Sequence, residues 1–568
     1  MKKIAQVTVG LPVEGPFDYS VPDEYASQVT PGKRVWVSFH NRPRMAVVTA
    51  LPKKSAFKNL KPILDVLDPD PVLDENMLKL TREFSELYGC SWGEAVETAL
   101  PSALRGKRVL KESFPQSAPV PARSHPFSLI HDQDGGKRWD ILEKQIRQTL
   151  SDGKGVIFLV AEVILMDRVV EHLNKNFKEE TVVFDRKMTP KEELECWLKV
   201  KRGQARLIVG TRSEIFAPVP DLGLIVIWDE ENSAYKQEQT PRYHVRDVAR
   251  MRSRLWGIPV IYVSSAPSAE LWWAVQKKKE GLVEAFSARG LAALNLIDLT
   301  NYKFGRGSYI SYPLRNKIEA ALKENKRVVI YFNRREDHAP AASGKAIYKR
   351  GIAKVAEEIR ERFPRNAVVT YDAGTAKFPS GADVIVGTRA VFRVLHRFLP
   401  DLIGVLGVDN DLSLPDFRAS QRVFSTLIHL RQSAAQEVVV QTQNKDSYSL
   451  TCARDLDFER FYREEIGLRK QLGLPPFSHL VKILLRSVDE KAARKQADEL
   501  FRILHETQTS GMDVTDPHPD TPPKLRRHYR LTILVKGRKV KPVMTYVRQA
   551  LRKLKRKTKV YITLNLDP

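Results

Sequence analysis

Two short stretches carry residue types at spacings that could do phosphate chemistry. Ile225-Val226-Ile227-Trp228 is an apolar run that ends in Asp229-Glu230-Glu231. Carboxylates at the end of a strand can hold a divalent cation and position a water for attack on a phosphoanhydride. Upstream, residues 131–140 read HDQDGGKRWD, between a short apolar run (Phe127, Leu129, Ile130) and the helical-looking DILEKQIRQTL. A glycine-rich turn between strand and helix is where a phosphate-binding loop sits. Its backbone N–H groups cradle phosphates, its lysine neutralises them, and a following Ser or Thr hydroxyl ligates Mg²⁺. Gly135-Gly136-Lys137 offers the glycines and the lysine, but Arg138 stands where the hydroxyl is needed.

The elements that must position these residues read as α/β units. VIFLV, ARLIVG, LGLIVIWDE and IPVIYVSS, between residues 155 and 265, are short continuous apolar runs of the kind found in strands buried on both faces of a parallel sheet. Helical stretches such as EVILMDRVVEHLNKNF separate them. From 327 to 445 the alternation recurs as RVVIYF, NAVVTY, ADVIVG, LIGVLGVDN and EVVVQT. The pentapeptide IVGTR occurs twice, at 208–212 and 385–389, each time ahead of an apolar run ending in acid, which predicts two related lobes. The first hundred residues mix short alternating runs (KKIAQVTVGL, GKRVWVSF) with one helical stretch over 71–100. Residues 107–126 contain Pro and Ser, lack period, and read as a linker. From about 455 the pattern is α, then α+β.

At 568 residues the chain is too long for one core. A net charge of +25 and a pI near 9.7 favour a polyanionic partner. From Lys524 to Lys559 there are fifteen Lys or Arg and no Asp or Glu. KLRRHYRLTILVKGRK flanks an alternating strand with bases, and MTYVRQALRKLKRK has apolar residues at helical spacing with bases opposite. This is the pattern of a basic surface on a folded domain, and phosphate contact is its best use. No apolar run reaches eighteen residues and no signal-peptide pattern opens the chain, so it reads as cytoplasmic, without membrane contact. Cys90, Cys196 and Cys452 lie far apart and form neither a disulfide framework nor a metal knuckle; buried thiols are expected.

Two tandem α/β lobes in a basic chain point to a helicase-type motor, and NSAYKQEQTPRYHVRD (232–247), after GTRSEIFAPVPDLGLIVIWDEEN, makes the likeness specific. These segments resemble the primosomal protein N′ (PriA) family of bacterial replication-restart helicases. VEGPFDYSVPDE, TPGKRVWVSF and NLKPILDVLDPDPVL resemble that family's amino-terminal domain, which binds DNA 3′ ends. YFNRR, LSLPDFRASQRVF and LGLPPFSHLVKILLRS resemble its second lobe and carboxy-terminal region, and KLRRHYRLTILVKG with TLNLDP its last domain. The likeness covers roughly 1–105 and 150–568. It implies two tandem RecA-like helicase lobes with a small β-rich N-terminal 3′-end DNA-binding domain and an α+β basic C-terminal domain. The expected boundaries are 1–105, a linker at 106–126, lobe one at 127–315, lobe two at 316–450 and the C-terminal domain at 451–568.

Set against the family's pattern, the chemistry is depleted. Counting back from Lys137, the first glycine of the phosphate loop should be at 131, which is His, and Asp132 and Asp134 put negative charge where phosphates should lie. Gly136 and Lys137 are a remnant. Asp229, Glu230 and Glu231 are the remnant of the Mg²⁺-binding strand end. The family's Q-x-x-G-R-A-G-R segment, source of a catalytic arginine, is matched by RQSAAQ; nothing in the spacing makes Arg431 a substitute. S-A-T-P-S has become Ser264-Ser265-Ala266-Pro267-Ser268, and D-E-E-H has become D-E-E-N with Asn232. The zinc module expected after Asn333-Arg334-Arg335 is replaced by a segment with no cysteine, where His338 alone cannot hold zinc.

What the resemblance leaves intact is DNA contact. A 3′-end pocket maps to Phe17, Asp18, Tyr19 and Lys61: a carboxylate for the terminal hydroxyl, a ring for the last base, an ammonium for the adjacent phosphate. An aromatic-rich loop maps to Tyr235, Lys236, Arg242 and Tyr243. The basic segment supplies Lys524, Arg526 and Arg527. The expectation is a DNA-binding protein of replication restart, without ATP, Mg²⁺ or zinc, that meets forked or 3′-ended DNA and single-strand-binding or primosome proteins. The alternatives are an active ATP-dependent 3′→5′ helicase with a divergent nucleotide site, and a paralogue whose lobes bind only proteins.

Overall fold

A computed structural model of the chain describes residues 3–106, 108–110, 112–114, 127–133, 137–185, 187–278, 281–285, 290–305, 307–333, 348–375, 377–508, 510–555 and 559–568. The chain forms two compact units. One comprises Met1–Leu129, Asp140–Val263 and Phe477–Pro568; the other comprises Ile130–Trp139 and Ser264–Pro476. No helix among the described residues is long and apolar enough to cross a membrane.

The first unit begins with a five-stranded antiparallel sheet in the order Phe17–Ser20, Ile4–Val9, Arg42–Ala50, Arg34–Phe39, Ile63–Val66. Alternate residues of these strands (Ala5, Val7, Val9, Val35, Val37, Ala46, Val48) form its core, as a period of two requires. Helices Glu75–Tyr88 and Trp92–Ala99 follow. Asp74 caps the first, and Gly89 ends it in the left-handed region at φ 65°. Ser91 and Glu94 form a capping box on the second. Beneath the sheet, Arg34 and Asp68 are both fully buried. The Arg34 Nε reaches Asp68 at 2.9 Å, and its remaining donors reach the carbonyls of Leu104 and Arg108, each at 2.8 Å. The expected linker therefore starts as packed chain. Leu110 and Phe114 are buried, the Phe114 ring lies edge-on to Trp197, and its N–H donates to Asp70 at 2.8 Å. Two large apolar side chains four apart outweigh the Pro/Ser composition there. Residues 115–126 lie outside the described residues.

Five parallel strands of the same unit run in the order Val260–Ser264, Leu222–Trp228, Gly155–Val160, Leu207–Gly210, Thr181–Val183. Four of them match the continuous apolar runs, and the edge strand Thr181–Val183 lies outside them. The carboxy-terminal part is an antiparallel sheet, Met512–Val514, His528–Gly537, His479–Ser487, Tyr561–Leu566, with His518–Leu525 also paired to His528–Gly537. Helices Glu490–Glu506 and Val540–Lys553 accompany it. The second unit holds six parallel strands: Ala293–Asp298, Glu437–Thr442, Leu402–Leu406, Val328–Phe332, Val384–Gly387, Val368–Tyr371. Two parallel α/β sheets, a β-rich amino-terminal part and an α+β carboxy-terminal part make the expected two-lobe helicase architecture with flanking domains.

Three expected boundaries move. Ala293–Asp298 pairs with Glu437–Thr442 along its whole length, so it belongs to the second sheet and not to a lobe ending at 315. An apolar run looks the same whichever sheet it edges. Residues 130–139 and 264–315, expected in lobe one, count with the second unit. So do helices Tyr448–Asp455 and Phe458–Gln471, expected in the C-terminal domain. Phe424 stacks on Phe461 at 3.8 Å and Trp272 on Tyr462 at 4.3 Å, which holds residues up to 476 to that unit. Cys90 and Cys452 are buried as expected; Cys196 is only half-buried.

The repeated IVGTR has one structural cause. In both copies the strand ends at the glycine and the chain folds back as a 3₁₀ turn, Arg212–Phe216 in one and Arg389–Arg393 in the other. A Cβ at Gly210 would stand 2.5 Å from Glu214, and one at Gly387 would stand 2.4 Å from Val391 and 2.5 Å from the Tyr371 carbonyl. Only glycine fits under the returning turn. Burial at the first turn pushes the Glu214 carboxyl up to about 7, against hydrogen bonds from Ser213 and Thr211 that favour its anion.

Two consequences are measurable. Asp68→Ala leaves a buried guanidinium without its carboxylate, and urea unfolding should show a loss of about 3–5 kcal/mol; a loss under 1 kcal/mol would show that the carbonyls alone support Arg34. For Glu214, the folded pKa lies above the ordinary 4.5. Its contribution is therefore fully present below about pH 4.5 and is lost as pH rises through 7. Glu214→Gln should flatten the stability–pH curve between pH 5 and 8 by on the order of 1–3 kcal/mol, and an unchanged slope would place the titration elsewhere.

Candidate nucleic-acid interface

The nucleotide-site remnants come first, because their side chains already have partners. Asp132 is fully buried at the end of strand Phe127–Asp132, and its Oδ2 accepts from the Arg138 backbone N–H at 3.1 Å. The Arg138 Nε lies 3.4 Å from the same oxygen. Arg138 opens helix Arg138–Ser151, so an internal carboxylate takes the first amide of the helix, where a bound phosphate would be received. His131 is buried edge-on to Trp272 and Phe458, 5.5 and 4.9 Å between ring centres. Lys137 is exposed. Gly136, with residues 134 and 135, lies outside the described residues, as do 334–347 with His338.

In the first unit, strand Leu222–Trp228 delivers Asp229 in a left-handed backbone conformation, φ 50°, a region that Asp enters more readily than most non-glycine residues. Glu230 is fully buried and paired to Arg246 at 2.8 Å, so this carboxylate serves the packing of helix Val245–Trp256. Asn232 accepts from the Ala234 N–H at 3.0 Å and caps the next turn. In the second unit, Arg431 is buried. Its Nε donates to the Ala292 carbonyl at 2.6 Å and its Nη1 to those of Ala453 and Arg454 at 2.6 and 2.9 Å. A guanidinium committed to three backbone carbonyls fastens the end of helix Ala419–Ser433 to its neighbours.

The expected 3′-end pocket divides. Tyr19 is a core residue, 5% exposed, its hydroxyl donating to the Ser38 carbonyl at 2.9 Å. On a four-residue strand, period two sends Phe17 and Tyr19 to one face and leaves Asp18 on the other; only Phe17, at the strand's end, stays half-exposed, its ring edge-on to Phe39 at 5.0 Å. Asp18 Oδ2 accepts from Ser55 Oγ at 2.5 Å, which fixes the carboxyl's rotamer. Lys61 is exposed. Its carbonyl accepts from the Ser20 N–H, and its ammonium reaches Asn41 Oδ1 at 3.1 Å. Phe39, Asn41 and Ser55 were not singled out from sequence; each lies in a loop or strand end whose approach to Asp18 and Lys61 exists only once the sheet forms.

The aromatic-rich loop departs furthest from expectation. Tyr235 is completely buried, its hydroxyl shared between the carbonyls of Leu159 and Trp228 at 2.8 and 2.6 Å. Tyr243, 2% exposed, sits among Phe84, Phe216 and Tyr88 at 5.4–6.4 Å. Burial drives both phenols upward. Neither ring can stack on a base without unpacking the core, so both are structural. Lys236 donates to the Leu566 carbonyl. Arg242 is half-buried, and its Nε has no hydrogen-bond partner among the described residues.

Lys524, Arg526 and Arg527 are exposed as expected. Lys524 lies 4.1 Å over the Tyr529 ring. Arg526 and Arg527 form the two-residue turn between His518–Leu525 and His528–Gly537, at φ 47° and 66°. Asn and Gly are the residues that fit such a turn; two arginines there accept backbone strain to put two guanidinium groups at a hairpin tip. Sequence reading passed over Lys482, Arg486 and Arg530. The signal for Lys482 and Arg486 was present in HLVKILLRS, where a period of two puts both bases on one face, and Arg530 joins them only through the strand register.

Comparison with known proteins agrees with the motifs. Residues 6–101 match the PriA 3′DNA-binding domain model, and residues 470–568 match the primosomal protein N C-terminal domain. The replication restart protein PriA of Treponema pallidum is 23% identical over 655 residues, covering 99% of both chains. That of Rickettsia conorii is 22% identical over 649 residues, covering 100% of this chain and 99% of the relative. That of Bacillus subtilis is 25% identical over 517 residues, 78% of this chain, and there the match spans 64% of the relative's length, just under two thirds. With family models matched at both ends and relatives aligned from end to end, the chain is similar along its length to replication restart proteins of the PriA family.

Proposed function

We propose that this protein is a non-enzymatic DNA-binding member of its family, which recognises forked DNA or the 3′ end of a strand and brings replication-restart partners to it without unwinding. The observation that carries the reading is the Asp132 carboxylate seated on the first amide of helix Arg138–Ser151. An arriving triphosphate would have to displace a buried anion from a buried ion pair and would meet no hydroxyl for Mg²⁺ at position 138. Glu230 held by Arg246, and Arg431 held by three carbonyls, support the same reading. No ATP, Mg²⁺ or zinc takes part. DNA binding is supported by the match of residues 6–101 to a 3′DNA-binding domain, by Asp18 and Lys61 at the expected pocket, and by the exposed bases of the carboxy-terminal hairpin. Single-strand-binding and primosome proteins are the partners this role calls for.

A second reading, an active 3′→5′ helicase with a divergent nucleotide site, draws on Asp229. It stands at the strand end where the family places a metal ligand, in a left-handed backbone conformation.

Two measurements decide. The purified chain with forked DNA, ATP and Mg²⁺ should release phosphate at the background rate, and Asp229→Ala should leave that rate unchanged. Mg²⁺-dependent turnover abolished by Asp229→Ala would establish the helicase instead. In binding titrations, a 3′-hydroxyl end should be preferred over a 3′-phosphate end. Asp18→Ala should weaken binding to the hydroxyl end about tenfold, or about 1.5 kcal/mol, the worth of one hydrogen bond to a charged group. Equal affinity of the native chain for both ends would remove the pocket from the proposal.

A further inference from the structure

The carboxy-terminal sheet has one face against its helices and one polar face. Val481, Ile483 and Leu485 are completely buried in the core. Period two sends Lys482, Leu484 and Arg486 to the opposite side. Register then places Arg486 directly opposite Arg530 on one neighbouring strand and opposite Tyr561 on the other, while Leu484 faces Thr532 and Thr563. Arginines directly opposite each other in a sheet repel, and a carboxylate intervenes. Asp520 takes Lys482 at 2.6 Å and also pairs with Arg530. Lys236, reaching the Leu566 carbonyl on strand Tyr561–Leu566, ties the 232–244 loop to this sheet, and Arg242 comes with it. Arg242 feels the cluster: burial first, then Arg486 and Arg530, lower its pKa against the weaker pull of Glu238 and Asp520.

The hydrogen bonding is incomplete in a way that has a chemical reading. Among the described residues, the Nε of Arg242, the Nε of Arg486 and the hydroxyls of Thr532 and Thr563 are buried without a hydrogen-bond partner, against one such acceptor on the same face, Asn565 Oδ1 opposite Lys482. A buried polar group left unsatisfied costs about 1–3 kcal/mol. Two guanidinium N–H groups are obligate donors and two hydroxyls are able ones, set among three arginines and a lysine with only the Asp520 and Glu238 carboxylates acting against them. The species that satisfies several converging donors and offsets excess positive charge is an oxyanion. Arginine's planar fork suits the oxygens of a phosphate.

We propose that Arg242, Arg486 and Arg530, with Thr532 and Thr563, form a site for a backbone phosphate of a DNA strand. The site rests on the DNA-binding reading given above and assigns it a specific place. A nucleic-acid strand is favoured over a free anion by what adjoins the cluster. Tyr561, opposite Arg486, is 58% exposed and presents a ring for a base, and His518–Leu525 and its partner strand lead to the basic hairpin at Lys524, Arg526 and Arg527.

The test uses the full chain, as the native protein, Arg486→Gln and Arg242→Gln. Anisotropy titrations with a labelled single strand and a labelled fork are run over a sodium chloride series, and melting is followed in sodium phosphate and in sodium chloride at equal ionic strength. Each variant should lose about one unit of the slope of log affinity against log salt, as one phosphate contact contributes, and bind about three- to tenfold more weakly at low salt. Phosphate should raise the melting temperature of the native chain and not of Arg486→Gln. In chloride Arg486→Gln should melt no lower than the native chain, since a like-charge pair is relieved, so that a loss of affinity is not a loss of folding. Wild-type slopes in both variants overturn the site while the DNA-binding reading stands. Phosphate stabilisation that Arg486→Gln removes without any change in slope assigns the site to a free anion and overturns the strand. A native chain that binds no DNA overturns both.

Discussion

Removing a guanidinium from water is the constraint on which much of this structure depends. The chain carries 93 Lys and Arg against 68 Asp and Glu, so carboxylates are the scarce partner. Where an arginine is buried, it takes a carboxylate or a set of carbonyls. Arg34 has Asp68, Arg246 has Glu230, Arg138 has Asp132 and Arg469 has Glu465. Arg252 and Arg431 use backbone carbonyls, and burial pushes Arg252 down to about 10. A lone buried charge costs several kcal/mol, so none of these side chains is available for other work without a replacement for its partner.

That constraint connects the condition of the nucleotide-site remnants to the stability of the fold. Asp132 and Glu230, the residues matched to the family's nucleotide site, each neutralise an arginine of their own unit. The same accounting marks the polar face of the carboxy-terminal sheet as different in kind. There Asp520 and Glu238 face Lys482, Arg486, Arg530 and Arg242, and among the described residues four donors are left without a hydrogen-bond partner.

The two α/β sheets follow a second constraint, steric and not electrostatic. At both copies of the repeat a 3₁₀ turn folds back over the end of its strand, and only a residue without a side chain passes beneath it. This accounts for a repeat confined to five residues, while the helices and strands around it differ. Packing of apolar side chains tolerates exchange; a Cβ at Gly210 would run into the Glu214 side chain, and one at Gly387 into Val391 and the Tyr371 carbonyl.

Much of this was legible in the amino-acid order. Continuous apolar runs gave the buried parallel strands, alternation gave the antiparallel ones, and the repeat gave two similar lobes. All of these are periodicities of a residue and its near neighbours. The family likeness was legible too, because separated motifs retained their residue types. What only the tertiary structure decided was which side chains are consumed. Tyr19, Tyr235 and Tyr243 read as rings for DNA and are core residues; Arg486 and Arg530 read as ordinary strand residues and converge across a register. The strand Ala293–Asp298 joined the second sheet, and the linker was anchored by Phe114. Burial and pairing depend on partners tens to hundreds of residues away. Local order fixes the direction in which a side chain points, but not what it meets there.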